Sequence, residues 1–192
     1  MNYIYRAVRE ITGDWKESPP TRRLSSNLLP LTDNLWEWLR PEVYPSRRHA
    51  IFASPTEQEA HGAWEQGKVG VVEFNDVPLV GQHCGYPDVK NHPDEEIFRK
   101  LWVIELKKTE WVQNDIQSKL SRPHLGHLML PLLSKSEVDT ILKDFPKFAE
   151  NIQKASTVWK CFRLFDPMKD GPPSSSGEIV INTIKYRVIP IS

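Results

Sequence analysis

Long hydrophobic runs, a cysteine framework and an excess of either charge are all missing from this sequence. The longest uncharged apolar stretch, Leu125 to Leu133, includes Gly126, His127 and Pro131. It falls far short of the roughly 20 apolar residues that a membrane-spanning helix needs. Cys84 and Cys161 are the only cysteines, too few for a disulfide-stapled scaffold. The opening Met1-Asn2-Tyr3-Ile4-Tyr5-Arg6 lacks the basic segment, apolar run and small-residue cleavage site of a secretory signal. These absences predict a chain that works in the cytoplasm, with no membrane as a partner. Lys plus Arg total 25 and Asp plus Glu total 25, a formal net charge of zero. A protein that grips nucleic acid through its phosphates ordinarily carries a basic excess, so bulk nucleic-acid binding is not expected.

The 192 residues suffice for one domain with a real core, and 39% hydrophobic with 26% charged residues is a globular composition. Sixteen prolines punctuate the chain into short elements, and seven tryptophans are many for this length. Strand patterns are read at Tyr3–Val8, His49–Ala53, Lys68–Phe74, Leu101–Leu106 and Val158–Leu164. Closing strands follow at Glu178–Ile181 and Ile184–Ile189, or one bulged strand in their place. Thr32 or Asp33 is placed to cap a short helix that stops before Pro41. Ser54 is placed to cap another, with Pro55 at its first position and Glu57 three residues after the cap. Ser134–Lys154 is the clearest helical region, capped at Ser136 and interrupted at Pro146. Asn75–Pro93 and Asp166–Gly177 read as loops. The expectation is an α+β fold: a mostly antiparallel, split sheet with a few flanking helices.

Histidines and cysteines fall close together in two places, His83-Cys84 with His92, and His124 with His127. Neither group has the paired spacing of a structural zinc site, so no metal is expected. Arg22-Arg23 and Arg47-Arg48 are small basic clusters whose default reading is a solvated surface, with anion contact as the alternative. Trp36 and Trp38 point to opposite faces of their helix, so one of them is expected to be exposed.

Three passages carry chemistry by their order: Tyr5-Arg6 in the opening strand, Ile51-Phe52-Ala53-Ser54-Pro55 at a strand end, and Gly177-Glu178-Ile179-Val180-Ile181 after a Pro/Ser/Gly-rich loop. Together they resemble the arginine–serine–glutamate pattern of the cholera-toxin-like mono-ADP-ribosyltransferases. The closing segments Ser176–Ile181 and Ile184–Ile189 are the most specific part of the likeness. It covers only these segments, and 82–159 lies outside it. The resemblance implies one transferase-like domain over 1–192, with a family-atypical insertion within 82–157. It implies cleavage of the nicotinamide–ribose bond of NAD, a co-substrate, and transfer of ADP-ribose to an acceptor, more readily a macromolecule than a small molecule. Arg6 and Ser54 would then bind the dinucleotide, Glu178 would be catalytic, and Tyr44 would stack on nicotinamide. The loop before Glu178 would meet the acceptor.

Two positions depart from the family pattern. Ala53-Ser54-Pro55 stands where many members have Ser-Thr-Ser. Ser176 stands where arginine-modifying members have Glu or Gln, which argues against an arginine acceptor. The physical logic is that of glycoside cleavage. Positive charge grows on the ribose as nicotinamide leaves, a carboxylate at the ribose stabilises that charge, and a guanidinium holds the pyrophosphate. The competing reading is a noncatalytic interaction module, a diverged copy whose tryptophans and proline-rich loops build a partner surface.

Overall fold

A computed structural model describes residues 3–18, 28–108 and 124–191. The chain divides into two compact units. The first comprises 1–23, 41–92 and 159–192, and the second comprises 24–40 and 93–158. Arg22-Arg23 lies outside the described residues.

The first unit is built on two four-stranded sheets, antiparallel in every described pairing, as the α+β expectation required. In one, β1 (Tyr5–Val8) and β8 (Lys185–Ile189) flank β4 (Lys68–Phe74), and β2 (Lys16–Glu17) lies outside β8. The other has the order β3 (Ile51–Ala53), β7 (Ile179–Asn182), β5 (Leu79–His83), β6 (Phe162–Leu164). The closing segment is thus two strands in different sheets, not one bulged strand. Period-two alternation sorts the core. Ile51, Ala53, Ile179 and Ile181 join Ile4, Val72 and Val80 in one cluster. The intervening Val180, with Ala50 and Phe162, forms another, against which Phe52, Tyr44 and Trp159 pack.

Besides the first cluster, which both sheets share, one isolated backbone bridge among the described residues links them. Tyr5 N–H donates to Ser54 O at 2.9 Å, and Ser54 N–H donates to Tyr5 O at 2.7 Å. This overturns the reading of Ser54 as a helix cap. Its backbone is committed to the bridge and stays extended. Helix α2 (Glu57–Ala63) starts two residues later, on Thr56, whose hydroxyl accepts from Glu59 N at 3.2 Å.

The second unit is helical: α1 (Pro30–Leu39), α3 (Asp94–Lys108), α4 (Lys135–Leu142) and α5 (Pro146–Ala155), with a 3-10 turn over Leu125–Met129. Here the expected strand Leu101–Leu106 is wrong. Alternation of Trp102, Ile104 and Leu106 mimicked a strand, but Ile104 is 52% exposed and the buried Phe98 lies one helical turn before Trp102. Asp94, Glu95 and Glu96 in the first turn and Lys107 and Lys108 in the last complement the helix dipole. The expected cap at Ser136 belongs to Ser134, which forms a capping box with Glu137, and the expected interruption at Pro146 is a full break, with Pro146 opening a second helix. Thr32 and Asp33 lie inside α1, which starts at Pro30 without a side-chain cap. Trp36 is buried, while Trp38 is partly exposed and donates to Asp139 Oδ1 at 2.6 Å.

Asp94 ties this unit together. Its buried carboxylate accepts from Trp36 Nε1 at 3.3 Å, Ser156 Oγ at 2.9 Å, Thr157 N at 3.0 Å and Val158 N at 3.1 Å, so α1, the start of α3 and the end of α5 share one acceptor. Asp94→Ala leaves those donors buried without a partner. A loss of about 3 kcal/mol or more is expected in urea unfolding. A change below about 0.5 kcal/mol would show that the donors re-pair elsewhere.

Candidate functional site

The bridge between the sheets also sets the site. It puts Arg6, one residue beyond Tyr5, beside Ser54. Pairing of β3 with β7 opposes Ala53 to Ile179, so Glu178 follows one residue beyond the pair. Arg6, Ser54 and Glu178 accordingly line one open cavity of about 980 Å³, with Phe52, Thr56, Glu59, Trp64, Asp88, Lys90 and Ser175 also on its wall. Side chains 172 residues apart in sequence converge here because Tyr5 on the first sheet and Ser54, at the end of β3 in the second, exchange a pair of backbone hydrogen bonds.

Each of the three is held differently. Arg6 Nη1 donates to Phe52 O, and its guanidinium lies 5.7 Å from the Tyr186 ring centroid. Ser54 is 7% exposed. Glu178 keeps 12% of its side-chain surface, and its Oε2 is ion-paired with Arg47 Nη1. Burial pushes the Glu178 carboxyl above the usual carboxylate range, and the adjacent Arg47 pulls it partly back. Asp88 raises it further and Lys90 opposes that, but these two are themselves paired at 2.8 Å and offset one another.

Tyr44 is not among the residues lining the cavity. Its ring packs 4.8 Å from Phe162 and 5.9 Å from Trp159, against the core cluster of the second sheet. The basic pair Arg47-Arg48, read as solvated, is buried at 9% and 2%. Arg47 stacks 4.7 Å from the Phe52 ring centroid and faces Glu178, a role its local sequence does not signal because its partner is 131 residues away.

The segment before Glu178 is firmly held at its end. Gln82, fully buried on β5, donates from Nε2 to Ser174 O at 3.0 Å and Gly177 O at 3.2 Å and accepts from Ser174 N at 3.0 Å. Glu59 Oε2 accepts from Gly177 N at 3.2 Å. Gly85 N donates to Ser176 O at 2.9 Å, His83 N to Glu178 O at 2.9 Å, and Glu178 N to Tyr86 O at 2.7 Å. The sequence does not signal this clamp, because Pro78 before β5 and Gly81 inside it place that strand within the expected Asn75–Pro93 loop. Ser175 alone from the Phe165–Gly177 loop lines the cavity, while 167–170 border a different one of about 730 Å³ on the first sheet.

The histidines take other work. His83 is buried against the rings of Trp159 and Phe162, and His92 packs on Tyr86. In the other unit, His124 Nδ1 accepts from Gly126 N, and His127 Nδ1 accepts from His124 N, closing the 3-10 turn. Among the described residues no group of three or more His, Cys, Asp or Glu side chains is arranged to hold a metal, and no helix is long and apolar enough to cross a membrane.

Gly177 has φ of +133°, and a Cβ there would stand 2.0 Å from His83 O and 3.1 Å from Cys84 Cα. Gly177→Ala therefore forces the Glu178 approach away from β5. An expected loss of about 3 kcal/mol, read by thermal unfolding, combines the backbone strain with the clash. A substitution without effect on melting would mean that the clamp yields freely.

Comparison of the chain with protein-family models, with curated proteins and with solved structures finds no match.

Proposed function

We propose that this chain is a mono-ADP-ribosyltransferase that cleaves NAD at the nicotinamide–ribose bond and passes ADP-ribose to an acceptor. The observation that carries the reading is the convergence of Arg6, Ser54 and Glu178 on one cavity, the geometry that their order in the resembled family requires. The cavity volume lies at the upper end of the roughly 300–1,000 Å³ of ligand pockets. A guanidinium at one wall suits the pyrophosphate. A carboxylate at another suits the ribose, where positive charge grows as the bond to nicotinamide breaks, so it stabilises the transition state more than the ground state. Glu178 Oε2 is taken by Arg47, and Oε1 has no hydrogen bond among the described residues, which leaves it for the substrate. An open cavity suits an acceptor that approaches from outside, in keeping with a macromolecule.

One observation favours the noncatalytic reading instead: a buried carboxylate neutralised by a buried arginine is also a common structural ion pair. Incubation of the purified protein with NAD and a cell lysate separates the two. The transferase releases nicotinamide and labels an acceptor, and the diverged copy does neither. Glu178→Gln is the informative variant, because Glu178→Ala would strand the buried Arg47 charge and confound loss of chemistry with loss of fold. Glu178→Gln is expected to lower turnover at least ~100-fold, on the scale of losing one preorganised electrostatic stabiliser. Arg6→Ala is expected to weaken NAD binding about 10- to 150-fold, the value of a charge-assisted hydrogen bond of ~1.5–3 kcal/mol. Near wild-type turnover in a folded Glu178→Gln protein would remove this residue from the chemistry. Unchanged NAD affinity by calorimetry would remove Arg6.

A further inference from the structure

We infer that Arg47 is the fixed counter-ion of Glu178, a positioning residue that keeps this carboxylate charged and aimed while meeting it from outside the cavity. The inference rests on the transferase reading only for the catalytic meaning of that charge. Arg47 Nη1 binds Glu178 Oε2, yet Arg47 is not among the residues that line the cavity, whereas Glu178 is. The guanidinium therefore reaches the carboxylate from a side that a ligand in the cavity does not occupy.

Three features stop Arg47 from swinging away to serve a ligand itself. It is 9% exposed. Its guanidinium stacks on Phe52. Its backbone sits in the 3-10 turn Arg47–His49, capped by the Ser46 hydroxyl. That turn is clamped in turn by Asn182: Ser46 N donates to Asn182 Oδ1 at 2.7 Å, and Asn182 Nδ2 donates to Ser46 O at 3.1 Å. Asn182 ends β7, the strand that begins immediately after Glu178. One short strand thus carries the carboxylate at its head and, at its foot, the amide that fixes the carboxylate's partner.

The charges around Glu178 single out Arg47. Asp88 and Lys90, from the turn over Val89–Asn91, face it but are paired to each other. Glu59 on α2 shares the cavity and is engaged with Gly177 N. Arg6 on β1 shares the cavity and donates to Phe52 O. Among the described residues, Arg47 alone is in direct ionic contact with Glu178. Burial raises the Glu178 carboxyl, so it gains its proton at a higher pH than a free carboxylate does. Without Arg47 that pH rises further, and a reaction that needs the ionised form loses activity on the acid side earlier.

The test follows Glu178 directly. The carboxyl carbon is observed by NMR in uniformly 13C-glutamate-labelled protein, assigned by its disappearance in Glu178→Gln, and titrated alongside the pH profile of kcat/KM for NAD cleavage. In Arg47→Met, both the carboxyl midpoint and the acid limb are expected to move up by at least one pH unit. Arg47→Lys is expected to restore most of the shift. Asn182→Ala, which frees the turn but keeps the guanidinium, is expected to move both in the same direction by less. An unmoved midpoint in folded Arg47→Met protein overturns the inference. Should Arg47→Met fail to fold, the double variant Arg47→Met/Glu178→Gln decides. Recovery of the fold shows that the stranded charge was the fault and supports the pairing, and continued failure shows that Arg47 is needed for packing alone and overturns it. Absence of NAD cleavage by the wild type at every pH sinks the transferase reading, while the carboxyl titration still decides the role of Arg47.

Discussion

Two hydrogen bonds between Tyr5 and Ser54 hold the candidate site together. Each sheet of the first unit satisfies its own strands, and the cluster that Ile4 and Val72 share with Ile51, Val80, Ile179 and Ile181 packs the two together. The Tyr5–Ser54 bridge fixes the edge of one against the edge of the other. Everything around the cavity is then a matter of register: Arg6 lies one residue past the bridge on β1, Ser54 is the bridge itself, and Glu178 lies one residue past the β3–β7 pair at Ala53 and Ile179. A slip of one residue in β3 would turn Ile51 and Ala53 out of the core and carry Ser54 off the cavity at once. The buried cluster of Ile51, Ala53, Ile179 and Ile181 guards against that slip, so core packing and site geometry are specified by the same alternation.

How much of this was legible beforehand depended on the range of the signal. The β4 strand is bounded by the same residues in sequence and structure, because Val69, Val71 and Val72 with Phe74 make a β-branched and aromatic run that outweighs the single Gly70. The α+β class and the meeting of Arg6, Ser54 and Glu178 were also readable, the latter through resemblance in order and not through any local pattern. What failed had competing local signals. In α3, alternating Trp102, Ile104 and Leu106 outweighed the acidic first turn and the lysines at the end. At β5, Pro78 and Gly81 hid a strand whose Gly81 is required because a Cβ would strike the Phe162 ring. Arg47 and Asn182 were invisible for a different reason. Their partners, Glu178 and Ser46, lie more than 130 residues away, and nothing in a run of neighbours announces a contact of that range.

The helical unit is organised by a different means. Where the sheets rely on backbone pairing, α1, α3 and α5 are gathered by the side chain of Asp94, which collects an indole, two hydroxyls and two backbone amides. Asn34 works in parallel, donating to Leu128 O at 2.9 Å and Leu130 O at 2.7 Å and accepting from Leu133 N at 2.9 Å, so residues 128–133 are tied to α1. Buried polar side chains with every partner supplied fix one arrangement of helices that apolar contact alone would leave degenerate.

The long sequence distance between Arg6 and Glu178 has a consequence for the protein as it is made. A ribosome delivers Arg6 first, Ser54 later and Glu178 last of the three, and the β3–β7 pairing has no second strand until Ile179–Asn182 has cleared the exit tunnel. Until then the nascent chain has no cavity wall opposite Arg6, and whatever chemistry the cavity performs is absent. Strand β7 acts as the closing stitch, the last piece to join the walls that Arg6 and Ser54 begin.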